Sequence, residues 1–148
     1  MDTIDKEILK HLQTDARLSM TAIGKRVNLS QPAVTERIKR LEELAIIDSY
    51  QAVINHEKIG KPLVAFIMFR TYSCDNFLAF CETCPEISEC HRISGEYNYL
   101  IKAVVSETKA IERLENELIP FGCASTLVSL SSPIPSKILL PEDAFLKH

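Results

Sequence analysis

The most concentrated chemistry in this sequence lies between residues 25 and 40. That stretch sets one carboxylate, Glu36, against five cationic side chains: Lys25, Arg26, Arg37, Lys39 and Arg40. The whole chain has a formal net charge of −3, so a local charge of +4 stands out. A concentrated basic patch on an acidic protein indicates a binding site for an anionic partner rather than a generally sticky surface.

Three predicted helices in residues 1–48 position this patch. The first covers about residues 2–15 and has one apolar stripe. The second, MTAIGKRV, follows Ser19 as its N-cap and ends before Asn28, which favours a tight turn. The third starts at Ser30 and runs to about Ala45. The second and third helices are therefore separated by about three residues.

The third helix is amphipathic, and its outward face is polar and basic. Two short helices joined by a tight turn form a helix-turn-helix, whose second helix fits the major groove of DNA. We expect base contacts from Gln31, Thr35 and Glu36, because Gln pairs with adenine and Glu accepts from the cytosine amino group. Phosphate contacts are expected from Lys25, Ser30, Arg37, Lys39 and Arg40.

Arg37 differs from the other cations of the patch. At 100° per residue it flanks the apolar stripe, so we expect it to brace the helix and reach a phosphate rather than read a base. The residue pattern alone leaves a second interpretation open. A three-helix bundle whose charged face is simply solvated would show similar charge rows.

Residues 62–148 alternate strand and helix patterns. The order is strand 62–72, helix 75–84, strand 87–94, strand 98–105, helix 108–121 and strand 124–132. This β-α-β-β-α-β order is typical of a ferredoxin-like domain. We therefore predict an α+β protein: a winged helix-turn-helix domain at 1–48, a strand linker at 49–61, and a ferredoxin-like domain at 62–148. Pro133, Pro135 and Pro141 predict an irregular C-terminal arm that packs on a surface.

Two long stretches resemble one known family. These stretches are "DKEILKHLQTDARLSMTAIGKRVNLSQPAVTERIKRLEELAIIDSY" and "ISGEYNYLIKAVV". From Ile4 to about Ser132, the chain resembles the leucine-responsive/asparagine-responsive (Lrp/AsnC) transcription regulators. The resemblance implies double-stranded DNA as a partner, an effector-sensing ferredoxin-like domain, homodimers formed through the sheets, and assembly of dimers to octamers. It also implies an amino-acid effector bound between dimers.

The same resemblance implies an effector cleft at "SGEYNY". The residues that we expect to contact the effector are Gly95, Glu96, Tyr97, Asn98, Tyr99, Ser125 and Thr126. The residues alone are equally consistent with a hairpin turn and outward-facing strand polars. Two positions depart from the family pattern: Asn98 stands where Asp is usual, and Ala45 stands where Gly is usual. Asn98 would remove a counterion for a ligand ammonium, and Ala45 would let the third helix run slightly longer.

Other chemistry is weakly supported. The cysteines at 81, 84 and 90, with His91, could ligate zinc or form a redox pair, but a C-x-x-C inside an amphipathic helix indicates small buried side chains. No catalytic constellation, cofactor motif or metal set is predicted. The longest apolar run has seven residues, and no signal segment is evident, so we expect a cytoplasmic protein without a membrane partner.

The sequence therefore predicts a DNA-binding transcriptional regulator that responds to an amino acid or a similar small molecule, and not an enzyme. Two alternatives stay open. One is a ligand-sensing assembly protein whose helical domain docks a protein partner. The other keeps DNA binding and takes a metal or thiol signal as input.

Overall fold

The computed structural model describes residues 1–142, and its contacts divide the chain into two compact units. The helical unit comprises Met1–Val53 together with the chain from Ile134 onward, and the sheet unit comprises Ile54–Pro133. The sequence predicts a ferredoxin-like domain that extends to residue 148. In the structure, the arm at residues 134–142 instead belongs to the helical unit, because its contacts are with the helices. Residues 143–148 of that predicted arm lie outside the described residues. None of the described helices has the length and apolar character that a membrane crossing requires.

The helical unit contains three helices: α1 (Thr3–Thr14), α2 (Met20–Val27) and α3 (Gln31–Glu43). Local signals set their starts, since Asp2 and Asp5 form a capping box on α1 and the Ser19 hydroxyl accepts from an α2 amide. Each helix turns one apolar stripe inward. The resulting core consists of Ile8, Leu9, Leu12, Ile23, Val34, Ile38 and Leu41.

Helix α3 ends two residues earlier than predicted. Ala45 adopts a left-handed conformation with φ of 52°, which terminates the helix. The amide of Ala45 donates to the Glu42 carbonyl and that of Ile46 to the Leu41 carbonyl, which is the Schellman pattern. Ala45 therefore performs the task of a glycine, and the expected extension of the helix is wrong.

The linker after α3 is extended but is not a strand. Residues 48–55 have no ladder partner in the described chain, and a turn follows at residues 56–60. No strand forms before Leu63, so the described helical unit contains helices without a strand of a wing. A strand needs a partner for its backbone groups, and a single chain supplies none at this segment.

The sheet unit has the predicted ferredoxin-like order. Its elements are β1 (Leu63–Thr71), α4 (Cys74–Thr83), β2 (Ile87–Arg92), β3 (Tyr99–Val105), α5 (Thr108–Leu118), a 3₁₀ turn (Ile119–Phe121) and β4 (Gly122–Val128). The four strands pair antiparallel in the order β2-β3-β1-β4. The predicted α+β fold class, with three N-terminal helices and a βαββαβ domain, is confirmed.

Alternation along the strands sends one set of side chains to the core beneath the helices. Ile67, Phe69 and Ile101 are fully buried there, and Phe69 stacks on Phe77 of α4 with ring centroids 4.6 Å apart. Directly paired residues of antiparallel strands point to the same face. This rule assigns each β4 residue to the helix-covered face or to the open face through its partner on β1.

Candidate nucleic-acid interface and ligand site

The junction between α2 and α3 is tight because a glycine lets the chain pass close to α2. Asn28 takes the left-handed conformation with φ of 56°, and the Leu29 amide donates to the Gly24 carbonyl at 2.9 Å. A Cβ atom on Gly24 would lie 2.5 Å from the Leu29 carbonyl oxygen, closer than atoms pack. Gly24 therefore permits the helix-turn-helix angle. The sequence signal that could have identified this residue is a glycine inside an otherwise regular helix pattern.

The start of α3 leaves polar groups available. Ser30 occupies the N-cap position, yet its hydroxyl makes no capping hydrogen bond, and Pro32 fills a first-turn position that needs no amide hydrogen. Ser30 and Gln31 are both exposed. The helix N-terminus thus presents unpaired donors and a free hydroxyl, which together suit an anion such as a phosphate.

The outward face of α3 is largely unpartnered. Thr35 returns its hydroxyl to the Gln31 carbonyl at 3.0 Å, and Lys39 lies 3.6 Å from Glu43 in a solvent-exposed pair. Four further predicted contact residues are exposed, and their side chains make no hydrogen bond or ion pair within residues 1–142: Lys25, Gln31, Glu36 and Arg40. Their side chains are free to contact an external partner.

Arg37 is the exception on this helix, because its guanidinium is already engaged. Its Nη1 donates to Asp2 at 2.8 Å and to Asp5 at 2.7 Å, which joins α3 to the N-terminus of α1. Burial opposes ionisation of Asp2, but hydrogen bonds from the Asp5 amide and from Arg37 outweigh it and lower the pKa of Asp2. The two carboxylates in turn raise the pKa of Arg37. The bracing role expected for Arg37 thus has an identified pair of partners.

The linker also touches α3 inside the helical unit. The Tyr50 hydroxyl donates to Oε1 of Glu42 at 2.8 Å. Burial and the neighbouring Glu42 carboxylate together raise the pKa of Tyr50 to about 12. Glu42 lies in the last turn of α3, so the linker is fixed to the end of the helix that is farther from Ser30 and Gln31.

The turn between β2 and β3 contains the predicted ligand residues 95–99. Gly95 has φ of 120°, a conformation that side chains rarely adopt, and Glu96 is exposed. The Asn98 side chain is engaged by the fold: its Oδ1 accepts from the Thr71 amide at 3.0 Å and its Nδ2 donates to the Thr71 carbonyl at 2.8 Å. The Asn98 side chain therefore pairs with the backbone of Thr71 as a neighbouring strand would, and acts as a clamp on the end of β1.

Tyr99 belongs to the core rather than to the surface of this turn. It is 3% exposed, and its ring centroid lies 4.8 Å from that of Phe77. A hydrogen bond with Cys74 and burial raise the pKa of its hydroxyl. Of the predicted cleft side chains in this turn, Glu96 is exposed and Tyr97 and Asn98 are half-buried, so all three have surface open to a ligand.

The structure does not bring Ser125 and Thr126 to this turn within one chain. Ser125 is paired with Met68 and Thr126 with Ile67, whereas Asn98 clamps Thr71. Three residues along β1 separate the Ser125 position from Thr71 and four separate the Thr126 position from it, which corresponds to roughly 10 and 13 Å. Because Ile67 faces the helices, Thr126 does too, while Ser125 points to the open face. The Thr126 hydroxyl oxygen is buried without a hydrogen-bond partner in the described chain.

Four of the five cysteines lie in the core of the sheet unit or pack against it, and Cys123 on β4 is exposed. Cys81 and Cys84 are buried, and burial, followed by the neighbouring Cys90 and Cys84, raises the pKa of Cys81 to about 12. Among residues 1–142, no three His, Cys, Asp or Glu side chains are grouped so that they could hold a metal ion. Metal binding and thiol chemistry need the thiolate, so this placement gives the metal- or thiol-input alternative no support.

Comparisons with known proteins identify the class of both units. An AsnC-type helix-turn-helix domain matches residues 1–42, and an Lrp/AsnC ligand binding domain matches residues 64–139. A helix-turn-helix joined to a ligand-binding domain defines a ligand-responsive regulator of transcription. The chain belongs to the Lrp/AsnC family of transcriptional regulators, as its sequence resemblance implied.

Individual relatives agree with this assignment. The HTH-type transcriptional regulator YezC of Bacillus subtilis is 40% identical over 132 residues, which cover 89% of this chain and 95% of YezC. The structure of B. subtilis LrpC aligns with a TM-score of 0.88 at 31% identity, covering 92% and 99% of the two chains. The Neisseria meningitidis regulator NMB0573, solved as an L-Met complex, aligns with a TM-score of 0.90 at 26% identity and covers 99% of each chain.

Proposed function

We propose that this protein regulates transcription by reading an operator with α3 and that an amino acid bound in the sheet unit modulates the reading. The observation that carries the proposal is the outward face of α3, where exposed polar and cationic side chains have no partner in the described chain. The alternative interpretation, a three-helix bundle whose charged face is simply solvated, requires only that this face be exposed to water. Membership in a DNA-binding family favours contact with DNA.

Within this proposal, the residues of the helical unit divide into three roles. Gln31, Thr35 and Glu36 contact base edges in the major groove. Phosphates are held by Lys25, Ser30, Lys39 and Arg40. Arg37 braces α3 against α1, because its guanidinium is paired with the carboxylates of Asp2 and Asp5.

The protein acts in this proposal as a symmetric homodimer in the cytoplasm, where its DNA is, with dimers assembling to an octamer. Two α3 helices then enter successive major grooves, so operators are pseudo-palindromic with half-sites about 10 bp, or a multiple, apart. The role is that of a regulator and not of an enzyme. Three relatives from B. subtilis are named HTH-type transcriptional regulators, which supports this role.

Selection from random 30-bp duplexes, followed by binding titrations, tests the DNA half of the proposal. We expect Gln31→Ala to relax discrimination at one base position by about 1–3 kcal/mol. Arg40→Ala should instead weaken binding to all duplexes and reduce the slope of log affinity against log salt by about 1. If selection enriches no sequence and both variants bind DNA as the wild type does, the DNA half of the proposal is wrong.

The effector half is tested by a thermal-shift screen of the twenty amino acids, read beside the light-scattering mass. The solved L-Met complex of the N. meningitidis relative makes methionine the first compound to test. A saturating ligand at 100 times its Kd should stabilise the sheet unit by about 2.7 kcal/mol. If none of the twenty shifts the melting temperature or the mass, the amino-acid input is withdrawn and DNA reading stands alone.

A further inference from the structure

The sheet unit is inserted into the helical unit along the chain. The chain passes from the helical to the sheet unit after Val53 and returns to the helical unit at Ile134. The helical unit thus has two covalent connections to the sheet unit, the linker and the arm. A unit tethered at two points has less orientational freedom than one on a single flexible linker, provided that both tethers are fixed.

The arm is fixed by a specific contact with α1. The Gln13 side chain donates from Nε2 to the Leu139 carbonyl at 2.7 Å, and its Oε1 accepts from the Leu139 amide at 2.8 Å. One side-chain amide thus satisfies both backbone groups of one arm residue, as a neighbouring strand would. Gln13 is held in place by a further 3.3 Å contact with the Leu9 carbonyl.

The arm also borders a groove of the helical unit. Leu139, Leu140 and Pro141 line this groove of about 990 Å³ together with α1 and residues 46–53 of the linker, and Leu139 itself is 79% exposed. The groove brings both tethers beside the end of α1. The linker is anchored as well, since Tyr50 is hydrogen-bonded to Glu42 on α3. Each tether is therefore hydrogen-bonded to a different helix of the helical unit.

Two prolines restrict the backbone of the arm. Between the end of β4 at Val128 and the contact at Leu139, the arm contains Pro133 and Pro135, and Pro141 follows two residues after the contact. Proline fixes φ, so these positions add local stiffness that other residues would not supply.

We propose that residues 134–142 are a strap that, by docking on Gln13 of α1, restrains the helical unit and thereby sets which half-site spacing a dimer accepts. The inference rests on the proposed DNA-reading function and extends it from recognition of one half-site to recognition of two. The strap contributes nothing to base contacts, because Gln13 and Leu139 lie outside the residues assigned to DNA.

The test uses full-length protein and duplexes that carry one or two copies of the half-site recovered by selection. Gln13→Met removes both hydrogen bonds to Leu139 and keeps side-chain length. Pro133→Gly combined with Pro135→Gly keeps the contact and removes the stiffness. Glu117→Met is the control, because Glu117 lies on α5 of the sheet unit, is exposed, and its side chain makes no hydrogen bond or ion pair within residues 1–142.

We expect the wild type to prefer its best spacing by about tenfold over a spacing changed by 5 bp, which moves one half-site to the other side of the duplex. Both strap variants should reduce this preference below about threefold while keeping single half-site affinity within twofold. Glu117→Met should keep the wild-type preference. Hydrogen exchange should show a protected Leu139 amide in the wild type and an unprotected one in Gln13→Met.

Different failures have different meanings. If the wild type binds selected duplexes but both strap variants keep its spacing preference, the strap is refuted and DNA reading survives. Loss of single half-site affinity in parallel with the spacing preference would show that the arm merely supports α1, which also refutes the strap. An unprotected Leu139 amide in the wild type refutes it independently of DNA. If the wild type recovers no half-site, the proposed function fails and the strap fails with it.

Discussion

Helix α3 and the turn between β2 and β3 contain the most suggestive polar motifs of the sequence, and they use polar side chains in opposite ways. On α3, Gln31, Glu36 and Arg40 face outward without partners in the described chain. In the turn, both polar atoms of Asn98 are bonded to the backbone of Thr71. A polar residue in a motif is therefore available to a ligand only if the fold has not already used it.

The largest expected effect comes from Asn98→Asp, which separates a clamp from a ligand contact. An aspartate can still accept from the Thr71 amide, but it cannot donate to the Thr71 carbonyl and brings a negative charge beside that oxygen. We expect a loss of about 2–3 kcal/mol in the free energy of unfolding, measured by urea titration without any ligand. Asn76→Asp is the matched control, because Asn76 is exposed and contacts only Ser73. Equal stability of the two variants would mean that Asn98 is not a clamp.

A second pair of variants compares two arginines on the same helix. Arg37→Met removes the link between α3 and α1, so we expect it to lower the free energy of unfolding by about 1–2 kcal/mol. Arg40→Met should change stability by less than about 0.5 kcal/mol and instead lower DNA affinity and its salt dependence. Stability and salt-dependent binding are measured on both. A reversed pattern would return Arg37 to the set of phosphate contacts.

Backbone conformation gives a third comparison between the same two regions. The turn meets its positive φ with Gly95, whereas the end of α3 meets it with Ala45 at φ of 52°. Ala45→Gly should therefore stabilise the helical unit by about 1 kcal/mol. The same exchange at Ala33, inside α3, should destabilise it by about as much. Thermal unfolding decides the matter, and a destabilised Ala45→Gly would contradict the left-handed assignment.

The smallest expected effect is a pH dependence of the Asp2–Arg37 contact. Because the folded protein lowers the pKa of Asp2 below its ordinary value of 3.8, ionised Asp2 stabilises the folded state above that value. This contribution is lost as the pH falls through the lowered pKa. The difference in unfolding free energy between wild type and Asp2→Asn should stay constant from pH 7 to about pH 4 and shrink below it. A difference that grows below pH 4 would have the wrong sign.

Much of the fold follows from signals close together in the sequence. Ser19 and Asn28 bracket α2 as predicted, because capping and left-handed turns depend on a few neighbouring residues. The βαββαβ order likewise follows from alternating periodicities, and the confirmed family follows from motifs spread along the chain. Side-chain chemistry facing outward from α3 was predictable for the same reason, since helical geometry alone assigns the face.

Features that depend on distant partners were not predictable. Asn98 looked like a ligand contact, because its partner Thr71 lies 27 residues away across the sheet. The side-chain pattern of the linker predicts a strand. The described chain, however, supplies no neighbouring strand with which the linker could pair. The arm was expected to pack on a surface. Its specific recognition by Gln13 could not be read from two exposed residues 126 positions apart.

The contact between Gln13 and Leu139 also orders events during synthesis. Residues 1–53 leave the ribosome first, and the arm that completes their unit follows only after the whole sheet unit has been translated. At about 5–20 residues per second, this delay lasts on the order of 4–16 s. A nascent chain interrupted before the arm would contain every residue proposed to contact DNA but would lack the contact between Gln13 and Leu139. The complete protein therefore differs from its incomplete translation products at α1, because only the complete protein has the arm bound to Gln13.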